Sequence, residues 1–366
     1  MDLSNIRIKE HYGLITNDTN TTQFNFLISP PKNRQPIQKE NLILTDHPTQ
    51  GEHTQILAEV KEVTSYEEVA GSTIKDRIGK LLATAKIIGA IDTANLDQPL
   101  QKILIPPNPG SRIYMPLNPF LEEVYRRGQQ GKPYRNPITV GKTVTTATTT
   151  QNNNQPISIH QDAAHLTATH TLITANDGMG KTTLAKNLTA QLQAATPIVI
   201  FDPDCEYKGT QTQVYNTPPE TMAKKIKPSQ TVAVTAEGLS QIQRPQEYTV
   251  MLQGLAKARR DKTVPPFLLI VEEADLLAPE VLCEFTGQKN GVSAILVTNH
   301  PTALGAKILS QTQTQFVGKT TDPTDIAALS NMISPNTDHL PSLAVGEWIL
   351  AGTNIIHPTK IRTTAP

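Results

Sequence analysis

Residues 175–183 read Ala-Asn-Asp-Gly-Met-Gly-Lys-Thr-Thr and follow a short apolar run, His170 to Thr174, that ends as a strand would. This spacing predicts a phosphate-binding P-loop. Such a turn leaves several backbone N–H groups without partners, aims them at one spot, and adds the positive end of the next helix, so that a triphosphate supplies the missing acceptors. Asn176, Asp177, Gly178, Met179, Gly180 and Thr183 would form the cradle, Lys181 would reach the β and γ phosphates, and the Thr182 hydroxyl would face Mg²⁺. The pattern G-x-x-x-x-G-K-[ST] asks for glycine where this chain has Ala175, which alanine tolerates only where φ stays negative. The competing reading is a glycine-rich turn before an ordinary helix.

A second motif points to the class of nucleotide chemistry. Pro266 to Pro279 runs Pro-Phe-Leu-Leu-Ile-Val-Glu-Glu-Ala-Asp-Leu-Leu-Ala-Pro, an apolar segment of strand length that ends in two carboxylates. It reads as a Walker B strand. Glu272 would hold Mg²⁺ through its water shell, and Glu273 would polarise the attacking water as general base. The alternative is an acidic cap on the following helix.

Lys plus Arg and Asp plus Glu are equal at 33 each in 366 residues, so net charge neither supports nor excludes DNA, and any nucleic-acid contact must come from a local patch. Cys205 and Cys283 have no metal-ligand spacing and read as small buried thiols in a reducing compartment. The first residues lack an apolar signal core, and no apolar run approaches the roughly 18 residues of a membrane helix. A cytoplasmic enzyme with no membrane partner is expected.

Composition changes most sharply at Thr143 to Gln155, a Thr/Asn/Gln stretch with almost nothing to bury. Before it, period-2 segments containing Phe24, Phe26 and Ile28, then Ile56, Ala58 and Val60, predict a small β-barrel over 1–115. Ala85 to Ile91 and Gln101 to Ile105 are expected to complete it, with Pro106 to Gly110 as its exit and a helix from about Pro119 to Arg127. Residues 116–155 read as helix and linker. After that, strands alternate with helices as a mainly parallel α/β sheet requires, over 156–366. Strands are predicted at His170–Thr174, Ile198–Phe201, Thr231–Val234, Phe267–Val271, Val292–Thr298 and Gln315–Val317. Nucleotide binds at the carboxyl ends of such strands, where both phosphate motifs fall.

With Asp202-Pro203 and Glu206-Tyr207 after the second strand, Glu272-Glu273-Ala274-Asp275 at Walker B, and Thr298-Asn299-His300-Pro301 after the fifth, the chain resembles the HerA-like ATPases of archaea and bacteria. That family belongs to the HerA/FtsK branch of RecA-like P-loop motors. The resemblance extends to Gly13-Leu14-Ile15 and Phe24-Asn25-Phe26 in the barrel, to Gly318-Lys319 and Pro323-Thr324-Asp325, and to Gly346-Glu347. It implies a RecA-like core preceded by a HAS-type barrel, ATP and Mg²⁺ as cofactors, and a homo-hexameric ring that translocates on or unwinds DNA in repair. A NurA-type nuclease would be the partner in end processing. Asn299 would be the polar sensor where glutamine is usual, although a strand-end amide can also cap the next turn. Asp202 and Glu206 resemble residues near the nucleotide, and equally suit a plain turn.

The chain departs from the family pattern in three places. Gly287-Gln288-Lys289 stands where Gly-Arg-Lys is common, and Lys319 replaces an arginine after the sixth strand, so Lys289 and Lys319 become the candidate cations acting between subunits. The helical bundle of larger relatives must also be absent or reduced within Lys208 to Pro265. Lys257, Arg259, Arg260 and Lys262, and separately Lys224, Lys225 and Lys227, would line a pore or simply end helices favourably. An ATP-dependent assembly scaffold with weak turnover, and a conjugation-type pump acting on another substrate, remain alternatives to the DNA motor.

Overall fold

A computed structural model describes residues 6–29, 36–51, 53–65, 81–144, 156–207, 212–214, 225–227, 230–235, 240, 242–286, 291–333 and 336–363. The chain divides into two compact units, Met1–Tyr134 with Thr143–Ile159, and Arg135–Lys142 with His160–Pro366.

The first unit is a closed six-stranded barrel in the order β1-β2-β5-β4-β3-β6, followed by one helix. Its strands are β1 (Gly13–Thr19), β2 (Gln23–Ile28), β3 (Leu42–Asp46), β4 (Thr54–Ser65), β5 (Leu81–Asp92) and β6 (Arg112–Tyr114), and the helix is α1 (Asn118–Tyr125). Alternation decides which side chains enter: Phe24, Phe26, Ala58, Val60, Ala83 and Ala85 fill the lumen with Ile43 and Ile113. The expectation that Gln101 to Ile105 adds a strand is corrected. Gln101 makes a single bridge to Ala90, and Ile103 packs against Ile56 and Ala90, while Leu104 is 78% exposed. Closure falls instead to β6, which pairs with both β1 and β3. The Pro106 to Gly110 stretch therefore lies inside the barrel sequence and is not its exit. Three prolines there lack the N–H a ladder needs, so pairing resumes only beyond them.

The second unit is built on an eleven-stranded sheet in the order β11-β12-β10-β13-β14-β9-β15-β16-β17-β7-β8. Its elements are β7 (Pro137–Thr143), β8 (Ser158–Asp162), α2 (Ala163–Leu166), β9 (His170–Thr174), α3 (Lys181–Leu192), β10 (Ile198–Asp202), β11 (Thr212–Val214), β12 (Thr231–Thr235), α4 (Gln243–Arg260), β13 (Phe267–Val271), α5 (Pro279–Thr286), β14 (Val292–Thr298), α6 (Pro301–Leu304), α7 (Ala306–Leu309), β15 (Thr312–Val317), α8 (Pro323–Ile333), β16 (Glu347–Gly352) and β17 (Thr359–Arg362). Strands β11 through β15 are parallel neighbours, and β16 and β17 add antiparallel. Every residue of β10, β12, β13 and β14 is buried, as a parallel sheet covered on both faces demands. The segment expected to be helix and linker also supplies β7, so only part of it connects; its residues 145–155 lie outside the described ones. Between β10 and β13 the described residues hold one long helix, α4, and no bundle.

Ala175 is not among the residues with positive φ, and it is fully buried. Its methyl occupies room left by a glycine elsewhere: a Cβ on Gly318 would stand 2.8 Å from the Ala175 Cβ and 3.0 Å from the ring of Trp348. The glycine missing from the loop has a spatial counterpart at the end of β15. Gly318→Ala should therefore lower stability by about 1–3 kcal/mol through overpacking, and Ala175→Gly in the same chain should restore part of it. Urea unfolding of wild type and the two variants checks this; an unchanged midpoint for Gly318→Ala would refute the packing argument.

Candidate nucleotide site

Gly178 and Gly180 have φ of +72° and +96°, conformations that L side chains rarely adopt, while a Cβ on either would meet nothing within 4 Å. Glycine is thus required here by backbone conformation and not by crowding. Gly180 is the N-cap of α3 and no side chain caps it, so the first-turn N–H groups are left for an external acceptor. The loop is held from outside: Asn176 N–H donates to the Lys319 carbonyl at 2.7 Å, Asn176 Nδ2 to Thr321 Oγ1 at 2.9 Å, and Gly346 N–H to the Met179 carbonyl at 3.1 Å. Lys181 Nζ folds back on the Ala175 and Asn176 carbonyls and Asp177 Oδ1, at 3.1, 3.2 and 3.4 Å. These are weak anchors that phosphate oxygens would replace.

The acidic residues converge on the same place because β10 and β13 are neighbours. Glu272 N–H bonds the Phe201 carbonyl at 3.0 Å and extends the ladder one residue past the strand. Tyr207 Oη donates to Glu272 Oε1 at 2.7 Å. Burial raises Glu272 to a pKa of about 7, against that hydrogen bond. Glu273 follows with φ +48°, a left-handed conformation rare outside glycine and held here where the strand ends. Its pKa is also raised to about 7, by burial and then by the charge and hydrogen bond of Asp204, against the nearby Arg244. Arg244 Nη1 itself donates to Asp204 Oδ1 at 3.2 Å.

β14 lies between the P-loop strand β9 and the acidic strand β13, so its carboxyl end faces both motifs. Asn299 stands there with its Oδ1 buried and unpartnered. Thr298 Oγ1 donates to Asp275 Oδ1 at 2.6 Å and accepts from His300 N–H at 3.0 Å. Asp325 fixes the next turn, accepting from Thr302 N–H at 3.1 Å and Thr302 Oγ1 at 2.6 Å.

One cavity of about 600 Å³ joins these parts, lined by Asp177, Gly178, Gly180, Lys181, Thr182 and Thr183 from the loop side and by Asp202, Glu206, Glu272, Glu273 and Asn299 opposite. Asn176 and Met179 anchor the loop and do not line the cavity. Lys319 touches the loop through its carbonyl, and its side chain is half-buried. Lys289 lies outside the described residues. Asp202 accepts the Glu206 and Tyr207 N–H groups, both at 2.9 Å, so a turn role is built into it even though it also lines the cavity.

Lys186, Pro203, Asp204, Val297 and Thr298 line the cavity as well, and sequence reasoning left them out of the site. Lys186 was legible, since it lies four residues after Thr182 and so shares its face of α3. Arg244 carried no signal: it is 40 residues from Asp204 in sequence. The lining includes six carboxylates against two ammonium groups, Lys181 and Lys186. Among the described residues no cluster of three or more His, Cys, Asp or Glu could hold a metal alone. A hydroxyl and a carboxylate, Thr182 and Glu272, suit a hard cation that is held jointly with phosphate oxygens.

Raised carboxylate pKa values have a signed consequence for the nucleotide-free protein. The folded state keeps protons on Glu272 and Glu273 that the unfolded chain releases above 4.5, so stability falls as pH rises from there to about 7. Glu273→Gln should melt higher than wild type at about pH 8, with the gain shrinking towards about pH 5. Thermal melting at both pH values tests this, and a gain independent of pH would contradict it.

Residues 164–302 match the family described as AAA domain. The DNA double-strand break repair helicase HerA of Sulfolobus acidocaldarius is 32% identical over 26% of this chain and 22% of its own length. A probable helicase of Methanocaldococcus jannaschii is 30% identical over 26% of this chain and 21% of its own. The chain thus spans about a fifth of the curated relatives it matches. Among solved structures, VirB4 of Thermoanaerobacter pseudethanolicus superposes with a TM-score of 0.50 at 12% identity, over 63% of this chain and 97% of that one. The genome packaging NTPase B204 from Sulfolobus turreted icosahedral virus 2 in complex with AMPPCP gives 0.45 at 16% identity, over 55% and 100%. No helix among the described residues is long and apolar enough to cross a membrane. With a P-loop, an acidic strand end and a six-stranded barrel ahead of them, the chain carries a P-loop ATPase domain that is similar to HerA and to probable helicases over about a quarter of its length.

Proposed function

We propose that the protein hydrolyses ATP and uses the cycle to move on DNA as a homo-hexameric ring. The observation that carries the chemistry is the convergence of the P-loop, Glu272, Glu273 and Asn299 on one cavity. Lys181 would exchange its loop oxygens for the β and γ phosphates. Mg²⁺, held by Thr182 and Glu272, would neutralise charge on the same phosphates. Glu273 would accept the proton of the attacking water, and the orphan Oδ1 of Asn299 would orient that water. Lys319 and Lys289 are the proposed cations at the junction with a neighbouring subunit. Asp202 and Glu206 would shape the wall beside the nucleotide.

The name of the Sulfolobus acidocaldarius relative supports DNA as the track and a repair context, and a NurA-type nuclease as partner extends that reading. The basic patch is smaller than its sequence suggests. Arg259 Nη1 donates to the Val264 carbonyl at 3.0 Å and Arg260 pairs with Glu284 at 2.9 Å, so both carry internal duties. Lys257 and Lys262 are exposed at the end of α4 that leads into β13, the edge of the sheet opposite the nucleotide. A second reading, an ATP-dependent scaffold with weak turnover, is favoured by the absence of any arginine among the described residues that line the cavity.

Lys181→Ala should weaken ATP binding and turnover together, whereas Glu273→Gln should keep binding and lose turnover by about 10²-fold or more. Multiple-turnover assays beside equilibrium binding of a fluorescent ATP analogue test this, and full turnover by Glu273→Gln would sink the general-base role.

Linear duplex should stimulate turnover at low salt. Lys257→Ala with Lys262→Ala should flatten the salt dependence of DNA binding by roughly 0.9 per lost phosphate contact. Turnover indifferent to DNA would promote the scaffold, and a strictly monomeric mass by light scattering with Mg²⁺ and a non-hydrolysable analogue would remove the ring.

A further inference from the structure

The turn after β10 does more in this molecule than border the nucleotide. Both oxygens of Asp202 are engaged, by Glu206 N–H and Tyr207 N–H at 2.9 Å each, and Pro203 stiffens the turn between them. That closure sets where the Tyr207 ring lies. The ring is 1% exposed, and Lys186 Nζ stands 5.2 Å from its centroid. Its hydroxyl reaches across 65 residues of sequence to Glu272 Oε1 at 2.7 Å. Glu272 is buried and lines the same cavity as Thr182, across from it. A carboxylate with one oxygen held by a donor on a rigid turn has one orientation to offer with the other. Without that donor the side chain would sample several.

We propose that Tyr207 is a positioning residue for the cation side of the site, fixing the Glu272 carboxylate through its hydroxyl, and that Asp202 acts one step behind it by fixing Tyr207. The inference rests on the nucleotide-site reading above. It assigns the Asp-Pro-x-x-Glu-Tyr pattern a task that proximity to the nucleotide does not describe: Asp202 lines the cavity but acts on the cation side through its turn, and Tyr207 is not among the lining residues. Lys186 completes the arrangement, because its ammonium lies over the ring while adding positive charge beside Asp202.

The test separates metal dependence from nucleotide affinity in the full chain. Binding of a fluorescent ATP analogue is titrated with Mg²⁺ for wild type and for Tyr207→Phe, which keeps the ring and its contacts and removes only the hydroxyl. A parallel titration is run in EDTA. The Mg²⁺ concentration giving half of the metal-dependent gain in affinity should rise about 10-fold in Tyr207→Phe, while affinity in EDTA stays as in wild type. Asp202→Asn should move the Mg²⁺ midpoint in the same direction by a smaller factor, which keeps the inference testable if Tyr207→Phe fails to fold. An unchanged Mg²⁺ midpoint in either folded variant overturns the positioning role, as does an equal loss of affinity with and without Mg²⁺, which is the signature of a merely structural residue. Wild type that binds no nucleotide at all would instead overturn the nucleotide-site reading, and this inference with it.

Discussion

The nucleotide cleft depends on a turn that leads into a helix whose first turn has no side-chain cap. Gly178 and Gly180 hold that turn in left-handed conformations, and the uncapped start of α3 adds its dipole at the same point. Leaving donors unpaired is costly unless a ligand completes them, so the surroundings must keep the loop from relaxing onto other acceptors. The bonds from Asn176 to Lys319 and Thr321, and from Gly346 to Met179, do this from the ends of β15 and the C-terminal hairpin. The substitution of alanine for the usual first glycine is absorbed in the same place, by Gly318 and the edge of the Trp348 ring.

Charge sets the second constraint. Six carboxylates line a cavity that holds two ammonium groups, and burial pushes Glu272 and Glu273 to a pKa of about 7. In the nucleotide-free state they are balanced by protons, by Arg244 acting through Asp204, and by the Tyr207 hydroxyl. A divalent cation between Glu272 and Thr182 would relieve the same excess, which ties metal, nucleotide and carboxylate ionisation into one equilibrium. The left-handed Glu273 is part of that arrangement, because the strained residue is the one that must present its carboxylate just beyond the strand end.

DNA contact is where local sequence misleads most. A run of four cations within six residues looks like a single patch, yet Arg259 caps a carbonyl of its own loop and Arg260 pairs with Glu284. Guanidinium groups serve a fold's internal bonds as well as they serve phosphates. Lys257 and Lys262 are exposed, and Arg260 is exposed within its ion pair, so any contact with DNA by this edge would rest on few charges.

How much of this was legible in the sequence follows the range of the interactions concerned. Parallel strands buried on both faces are written as continuous apolar runs, so β9, β13 and β14 stand where their residues predict them, to the residue. The P-loop and the Glu272-Glu273 pair are local patterns on strand-to-helix turns, and their chemistry is set by spacing alone. The closing strand of the barrel was not legible, because three residues with no strong pattern become β6 only when β1 and β3 offer their edges from either side. Nor were the partners of the acids. Tyr207 meets Glu272, and Arg244 meets Asp204, through strand order and helix packing, at sequence separations of 65 and 40 residues. The sequence by itself determined that a phosphate cradle and an acidic strand end exist. Only the tertiary structure decided which side chains hold those acids in place, because that depends on β10 lying beside β13 and not on any spacing along the chain.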